Sequence, residues 1–225
     1  SLCMPLYTKF VNMDQFHSGP IIGATHVNPA DVLNSGYGVQ FNTSGVRFMD
    51  ENNTYVIKAR TTGQMTLDNM AWVIVDSTCP VLDKVIPKFD RLNSPYGKAD
   101  TIEELAEKIR HHPENKHRMV PANLVETVER FNKFCDEKKD EDFGRRPATL
   151  GKIAQGPFYA MPLVAGGPNT KGGLLANADR EVLTWEGKPI PHLYCVGEIA
   201  SALKFVYQGG GNLTECLVYG RHCGK

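Results

Sequence analysis

The chain has 225 residues, 41% of them apolar, with 25 Lys+Arg balanced by 25 Asp+Glu. That is enough apolar material for a sizeable core, whether in one large domain or two small ones. The zero net charge supplies no basic field for nucleic acid or an anionic membrane surface, and no window approaches the run of about 18 apolar residues a membrane span needs; a small molecule is the expected partner.

The start Ser1-Leu2-Cys3-Met4 lacks the basic-then-apolar pattern of an export signal. Opening on serine and ending at Gly224-Lys225, the chain reads as a piece of something longer. Its six cysteines, Cys3, Cys79, Cys135, Cys195, Cys216 and Cys223, form no Cys-x-x-Cys pair and read as buried free thiols of a reducing, cytoplasmic compartment. His111, His112 and His117 have no cysteine or carboxylate at ligand spacing, so no metal site is expected.

Residues 1–60 alternate β-rich runs with turn residues. Leu6 to Met13, Gly38 to Phe41 and Val46 to Met49 are expected strands, the last two joined by the turn Asn42-Thr43-Ser44-Gly45. Val73-Ile74-Val75 predicts a further buried strand, closed by Pro80. A helix follows, capped by Asp100 or Thr101, with Ile102, Leu105, Ala106 and Ile109 on one face. A second begins near Asn123, where Leu124, Val125, Val128, Phe131 and Cys135 share a face and Glu126 completes a capping box. The charged run Asp136 to Arg146 reads as a solvated loop.

From Gly156 onward the chain is apolar and punctuated by glycine, which places a domain boundary near residue 155. Leu193-Tyr194-Cys195-Val196 predicts a buried strand ending in Gly197-Glu198. Gly209-Gly210-Gly211 then runs into a helix starting at Asn212-Leu213. Glycines there let a ligand approach the backbone, and the helix amino terminus offers free amides and a positive dipole end to an electron-rich oxygen. By spacing alone the same cluster fits a plain turn.

Gly156-Pro-Phe-Tyr-Ala160, Asn169-Thr-Lys-Gly-Gly173, Gly187-Lys-Pro-Ile-Pro191, Leu193-Tyr-Cys-Val-Gly-Glu198 and Tyr207-Gln-Gly-Gly-Gly-Asn212 through Gly220-Arg221 occur in this order. Upstream stand Gln15-Phe16-His17 and Gly45-Val46-Arg47-Phe48-Met49-Asp50-Glu51. Together they resemble the fumarate reductase and 3-ketosteroid dehydrogenase flavoprotein family over nearly the whole chain, most loosely between about residues 65 and 120. The resemblance implies FAD as cofactor. It also implies an α+β capping domain over residues 1–155, of which 1–15 also fit the flavin-binding part, followed by an incomplete α/β flavin-binding segment over 156–225. The family's strand followed by Gly-x-Gly-x-x-Gly, which holds the FAD pyrophosphate, is absent from this sequence. An amino-terminal FAD domain is therefore an expected partner.

By the same resemblance Glu198 contacts the ribityl region, and the backbone at Gly210, Asn212 and Leu213 meets the isoalloxazine. Tyr55 stands where fumarate reductases carry a proton-donating arginine, Asn169 replaces a substrate-binding histidine and Gln208 an arginine, leaving His17 of the usual carboxylate clamp. This pattern is closer to ketosteroid dehydrogenases, with Tyr55 handling a proton and Tyr207 and the Gly211 amide polarising a carbonyl, His17 and Asn169 lying against substrate. The expected substrate is a neutral cyclic enone or ketone. The alternatives are a fumarate- or urocanate-type carboxylate reductase using His17 with Lys171 or Lys204, and a non-catalytic capping or interaction module.

Overall fold

The computed structural model describes residues 3–13, 16–21, 30–200 and 210–224. The first elements are β1 (Phe10–Val11), β2 (Phe16–Ile21), α1 (Ala30–Asn34), β3 (Val39–Asn42), α2 (Tyr55–Met65), β4 (Met70–Val75), α3 (Leu82–Arg91) and β5 (Gly97–Ala99). They are followed by α4 (Ile102–His111), α5 (Pro121–Glu137), β6 (Phe158–Thr170), β7 (Gly173–Leu174), β8 (Glu181–Leu183), β9 (Pro189–Tyr194) and α6 (Gly211–Cys223). Two compact units share these elements, 19–166 and 1–18 with 167–225. The chain passes from one to the other within β2 and again within β6.

The unit 19–166 is organised by β4. Its sheet runs in the order β2, β6, β4, β3, with β5 also on β6, and β4 pairs antiparallel with both β3 and β6. All six residues of β4 are buried, because successive side chains point to opposite faces and both faces are covered. Met70, Trp72 and Ile74 join Leu105, Ile109, Leu124, Val128 and Phe131 of α4 and α5. Ala71, Val73 and Val75 join Val32 of α1 and Leu82, Val85 and Phe89 of α3 on the other side. The smaller unit holds the pairs β1–β7 and β8–β9 around a small core of Leu174, Val182, Cys195 and Ala200. There Arg180 lies in a buried ion pair with Glu215 (2.6 Å) and over the Tyr219 ring, 3.8 Å from its centroid.

Several expected elements take a different form. Val46 to Met49 is no strand: Asn42 N–H does bond Val46 O at 2.8 Å, but only a single bridge, Phe41 to Arg47, follows. Arg47 then turns inward to Glu51 and Asp140, so buried ion pairs take the place of a ladder. That contact also corrects the solvated loop, since Asp140 and Arg145 are both buried. Leu6 to Met13 contributes only β1 and a bridge at Thr8. The expected buried strand at Leu193 is the end of β9, largely exposed in a two-stranded ribbon, with Cys195 the buried residue just past it.

Helix α4 begins as expected, Thr101 Oγ1 accepting the Glu104 N–H at 3.2 Å. Helix α5 starts earlier, with Pro121 in its first turn and no side-chain cap, while the Asn123 amide donates to Ser44 O. Helices α2 and α3 have no counterpart among the expected elements. Of the six thiols, Cys79 and Cys195 are buried and Cys216 is exposed, and none forms a disulfide.

Candidate functional site

In the unit 19–166 the segment Gly45 to Glu51 is held from within. Glu51 Oε1 accepts the Gln40 N–H (3.1 Å) and Arg47 Nε (2.9 Å), while Oε2 accepts Arg47 Nη2 (2.8 Å) and Arg145 Nη1 (3.0 Å). Asp140 Oδ2 takes the other side of Arg47 Nη2 at 2.8 Å and the Arg145 N–H at 3.0 Å. Arg145 also donates to Gly38 O at 3.2 Å and to Gly36 O, and both guanidinium groups face the Phe131 ring. Burial alone would lower the pKa of Arg47, but its hydrogen bonds and the charges of Glu51 and Asp140 raise it instead. For Asp140, burial pushes upward, and the hydrogen bonds from Arg47 and the Arg145 N–H outweigh it and lower the pKa. The arginine and glutamate of this motif thus act as positioning groups: they fix the loop from which α2 starts.

Tyr55 opens α2 and is half-buried. It lines a polar pocket of about 330 Å³ with Ser35, Asn52, Thr54, Lys58 and Arg146. Lys58 sits three residues further along the same helix and is 4% exposed; burial lowers the pKa of its ammonium, opposed by Glu51 and reinforced by Arg145. Sequence reasoning passed over Lys58 because α2, with Thr61, Thr62 and Gly63 in its second half, carries a weak helical signal. The spacing Tyr55 to Lys58 places both on one helical face once the helix is known.

In the smaller unit, Glu198 lies in a 3-10 turn, Gly197–Ala200. Its Oε1 accepts the Thr170 N–H (2.5 Å) and hydroxyl (3.2 Å). Gly197 has a φ of +73°, and a Cβ there would lie 2.6 Å from Cys216 Sγ. At Gly173 a Cβ would meet Ile199 O at 1.9 Å, so only glycine lets β7 and this turn close together. Helix α6 starts from Gly210, at φ +75°, with no side-chain cap and no acidic residue in its first turn. Asn212 Oδ1 accepts Lys171 Nζ at 3.2 Å, and Lys171 is buried. Helix α6 thus begins at Gly211, Asn212 and Leu213 with backbone amides that no side chain caps, the kind of donors and dipole end that an electron-rich oxygen can meet.

His17 and Asn169 fall on β2 and β6, but their side chains lie outside the described residues, as do Tyr207, Gln208 and Lys204 entirely. His112 packs edge-on against Trp72 at 4.9 Å, and its Nδ1 accepts the Glu114 N–H at 3.2 Å. Among the described residues no group of three or more His, Cys, Asp or Glu is placed to hold a metal. No helix of the described residues is long and apolar enough to cross a membrane.

The described residues form a mixed helix-and-sheet fold, and comparison with known proteins assigns it to a flavoprotein family. A family model described as an FAD binding domain matches residues 21–213, and the chain belongs to that family, whose cofactor is FAD. It is 29% identical over 96% of its length to a probable fumarate reductase of Shewanella frigidimarina. It is 30% identical over 89% of its length to a 3-oxosteroid 1-dehydrogenase of Mycolicibacterium smegmatis. The chain spans 35% and 40% of these two relatives. Among solved structures, the open form of a flavocytochrome c3 fumarate reductase superposes with a TM-score of 0.79 at 25% identity, covering 99% of this chain and 38% of that one.

Proposed function

We propose that this chain is part of an FAD-dependent oxidoreductase that transfers a hydride at a carbon–carbon bond next to a carbonyl. The substrate class is a neutral cyclic enone or ketone, met in a reducing, cytoplasmic compartment. In this reading residues 1–155 cap the substrate and 156–225 complete the flavin site, with the pyrophosphate-holding part contributed by an amino-terminal segment. The observation that carries the reading is Tyr55 at the start of α2, half-buried and facing a polar pocket, at the position where a carboxylate-reducing relative would need a cation.

FAD, when bound, supplies the hydride exchange. The chain's own residues do the rest. Tyr55 moves the accompanying proton, its place fixed by the Glu51 network behind the loop. The Tyr207 hydroxyl and Gly211 amide donate to the substrate carbonyl as charge develops on it. His17 and Asn169 orient the ring. Glu198 holds the ribityl chain, and Gly210, Asn212 and Leu213 present the helix amino terminus to the isoalloxazine. Lys171 is already engaged with Asn212, which argues against its serving as a substrate carboxylate clamp.

The test uses the FAD-loaded longer protein and stopped-flow flavin reduction or reoxidation with a cyclic enone couple. Tyr55→Phe should slow the chemical step by about a hundredfold and leave substrate binding nearly unchanged. Tyr207→Phe should cost about 3 kcal/mol of transition-state stabilisation. Wild-type rates in Tyr55→Phe together with abolished turnover in His17→Ala would replace this reading with the carboxylate-reducing one. The 225-residue chain alone should bind FAD weakly, and stoichiometric retention through gel filtration would overturn that division of labour.

A further inference from the structure

The histidines around the end of α4 play no part in the proposed reaction, yet one of them is built into the fold. His112 is half-buried, its ring edge-on to the fully buried Trp72 of β4. It caps the 3-10 turn Pro113–Asn115 through Nδ1, which accepts the Glu114 N–H at 3.2 Å. A backbone N–H can only donate, so Nδ1 carries no proton. The ring is therefore the neutral tautomer protonated on Nε2, the nitrogen that faces Pro95 O at 3.4 Å. A second proton can go only onto Nδ1, where it would set one donor against another and break the cap.

The turn that this cap closes supports the loop leading to Tyr55. Asn115 is fully buried; its own N–H donates to His112 O at 2.9 Å, and its Oδ1 accepts the Met119 N–H at 2.7 Å. Its Nδ2 donates to Thr43 O at 3.0 Å. Thr43 belongs to the turn just ahead of Arg47, and a Cβ on the neighbouring Gly45 would lie 2.9 Å from both Leu124 N and Met119 Sδ. Turn and support are thus packed without room for independent movement.

We propose that His112 is a pH-sensitive latch: its neutral ring holds residues 113–119 against the Thr43 turn, and its protonation withdraws that support from the loop that leads to Tyr55. The inference goes beyond the proposed reaction and does not rest on it, since it concerns the loop whether or not Tyr55 moves a proton.

Burial lowers the pKa of the His112 ring, opposed by Pro95 O and by Glu114, the charged group of its own turn. Trp72 of β4 and Pro95 ahead of β5 bring no charge to it. On α4, Lys108 is engaged with Lys98 O, and His111 is turned to Glu107 and to the His117 ring. With its folded pKa lowered, the closed turn is favoured above the ordinary histidine value of about 6.5 and loses that advantage as pH falls through the folded value. The other fastening of this segment, Lys116 and Arg118 on Asp68 at 2.7 and 2.5 Å, holds throughout that window, because those hydrogen bonds keep Asp68 below its ordinary 3.8. The opening is therefore local.

The 15N-labelled chain, followed by NMR from about pH 7.5 to about pH 5, tests the latch. The ring nitrogens should report the Nε2–H tautomer and a midpoint below 6.5. Across that midpoint the exchange protection of the Glu114, Asn115 and Met119 amides should fall by about fivefold, the worth of one hydrogen bond, with the Gly45 amide following. His112→Asn keeps an acceptor at the cap that does not titrate and should flatten this dependence, whereas His117→Gln should preserve it. A midpoint at or above 6.5, the same dependence in His112→Asn, or its loss in His117→Gln overturns the latch. Should His112→Asn not fold, the unsubstituted chain decides: coincident ring and amide midpoints support the latch and separate ones overturn it.

Discussion

The two units of this chain satisfy themselves to different degrees. In 19–166 the central strand is buried on both faces, helices cover both sides of the sheet, and five buried charges sit in one place, four of them in mutual ion pairs. In the smaller unit the core is four residues with a few half-buried neighbours. Large apolar side chains remain outside it: Ile199, Leu213, Leu217, Val218 and Trp185 are each more than half exposed. The difference teaches where stability and where ligand chemistry reside. A unit with a closed core can hold buried charges in mutual ion pairs, whereas the apolar face of α6 is left exposed among the described residues.

The largest effect should come from the ion network. Glu51→Gln removes the carboxylate that serves both arginines and leaves Arg47 and Arg145 with Asp140 alone. A loss of about 4 kcal/mol is expected, since breaking a buried pair strands its partners; urea unfolding followed by Trp72 fluorescence reads it, and a loss below about 1 kcal/mol would remove the network from the account of this unit. Next comes the core. Leu105, fully buried on α4 against β4, should cost about 3 kcal/mol as Leu105→Ala, because the cavity cannot collapse in a sheet packed on both faces.

Acid should distinguish the units as well. The pKa of Asp140 is lowered from 3.8 in the folded state, with burial opposing and the Arg47 and Arg145 hydrogen bonds prevailing. A depressed folded pKa gives stability that is present above the unfolded value and is lost as pH falls through the folded one. The unit 19–166 should therefore hold its stability down to about pH 4 and lose it below. In Asp140→Asn that step should shrink, which hydrogen exchange resolved by segment can follow.

Where the sequence pattern was strong, it was legible. The apolar run around Val73, the α4 face of Leu105 and Ile109 with its Thr101 cap, and the Phe131 face of α5 all appear where periodicity puts them. The helix start after the glycine cluster also read through, with Gly210 as its left-handed entry to α6, whereas the close approaches at Gly173 and Gly197 came only with the fold. What stayed hidden depended on distance along the chain. Arg47 meets Asp140 across 93 residues and Arg145 meets Glu51 across 94, so neither the loss of the Val46 strand nor the burial of two charged loop residues has a local signature. Helix α3 was masked by Pro87 in its interior, and α2 by its threonines. Lys58 followed from α2, so its place beside Tyr55 emerged only with the fold.

The smallest effect tests the open face of α6. Leu217 is 75% exposed on that helix, so Leu217→Gln removes almost no buried area in this chain and should change stability by less than about 0.5 kcal/mol. The same substitution in the longer protein discriminates. If the proposed amino-terminal FAD domain covers this face, a buried leucine there contributes about 2 kcal/mol, and Leu217→Gln adds the cost of an amide taken out of water. A melting-temperature comparison of both variants with their parents measures it. Equal, near-zero shifts in the two contexts would mean that the face stays in water and that the smaller unit is complete as it stands; a shift confined to the longer protein would assign the exposed Leu213, Leu217 and Val218 to an interface within one polypeptide.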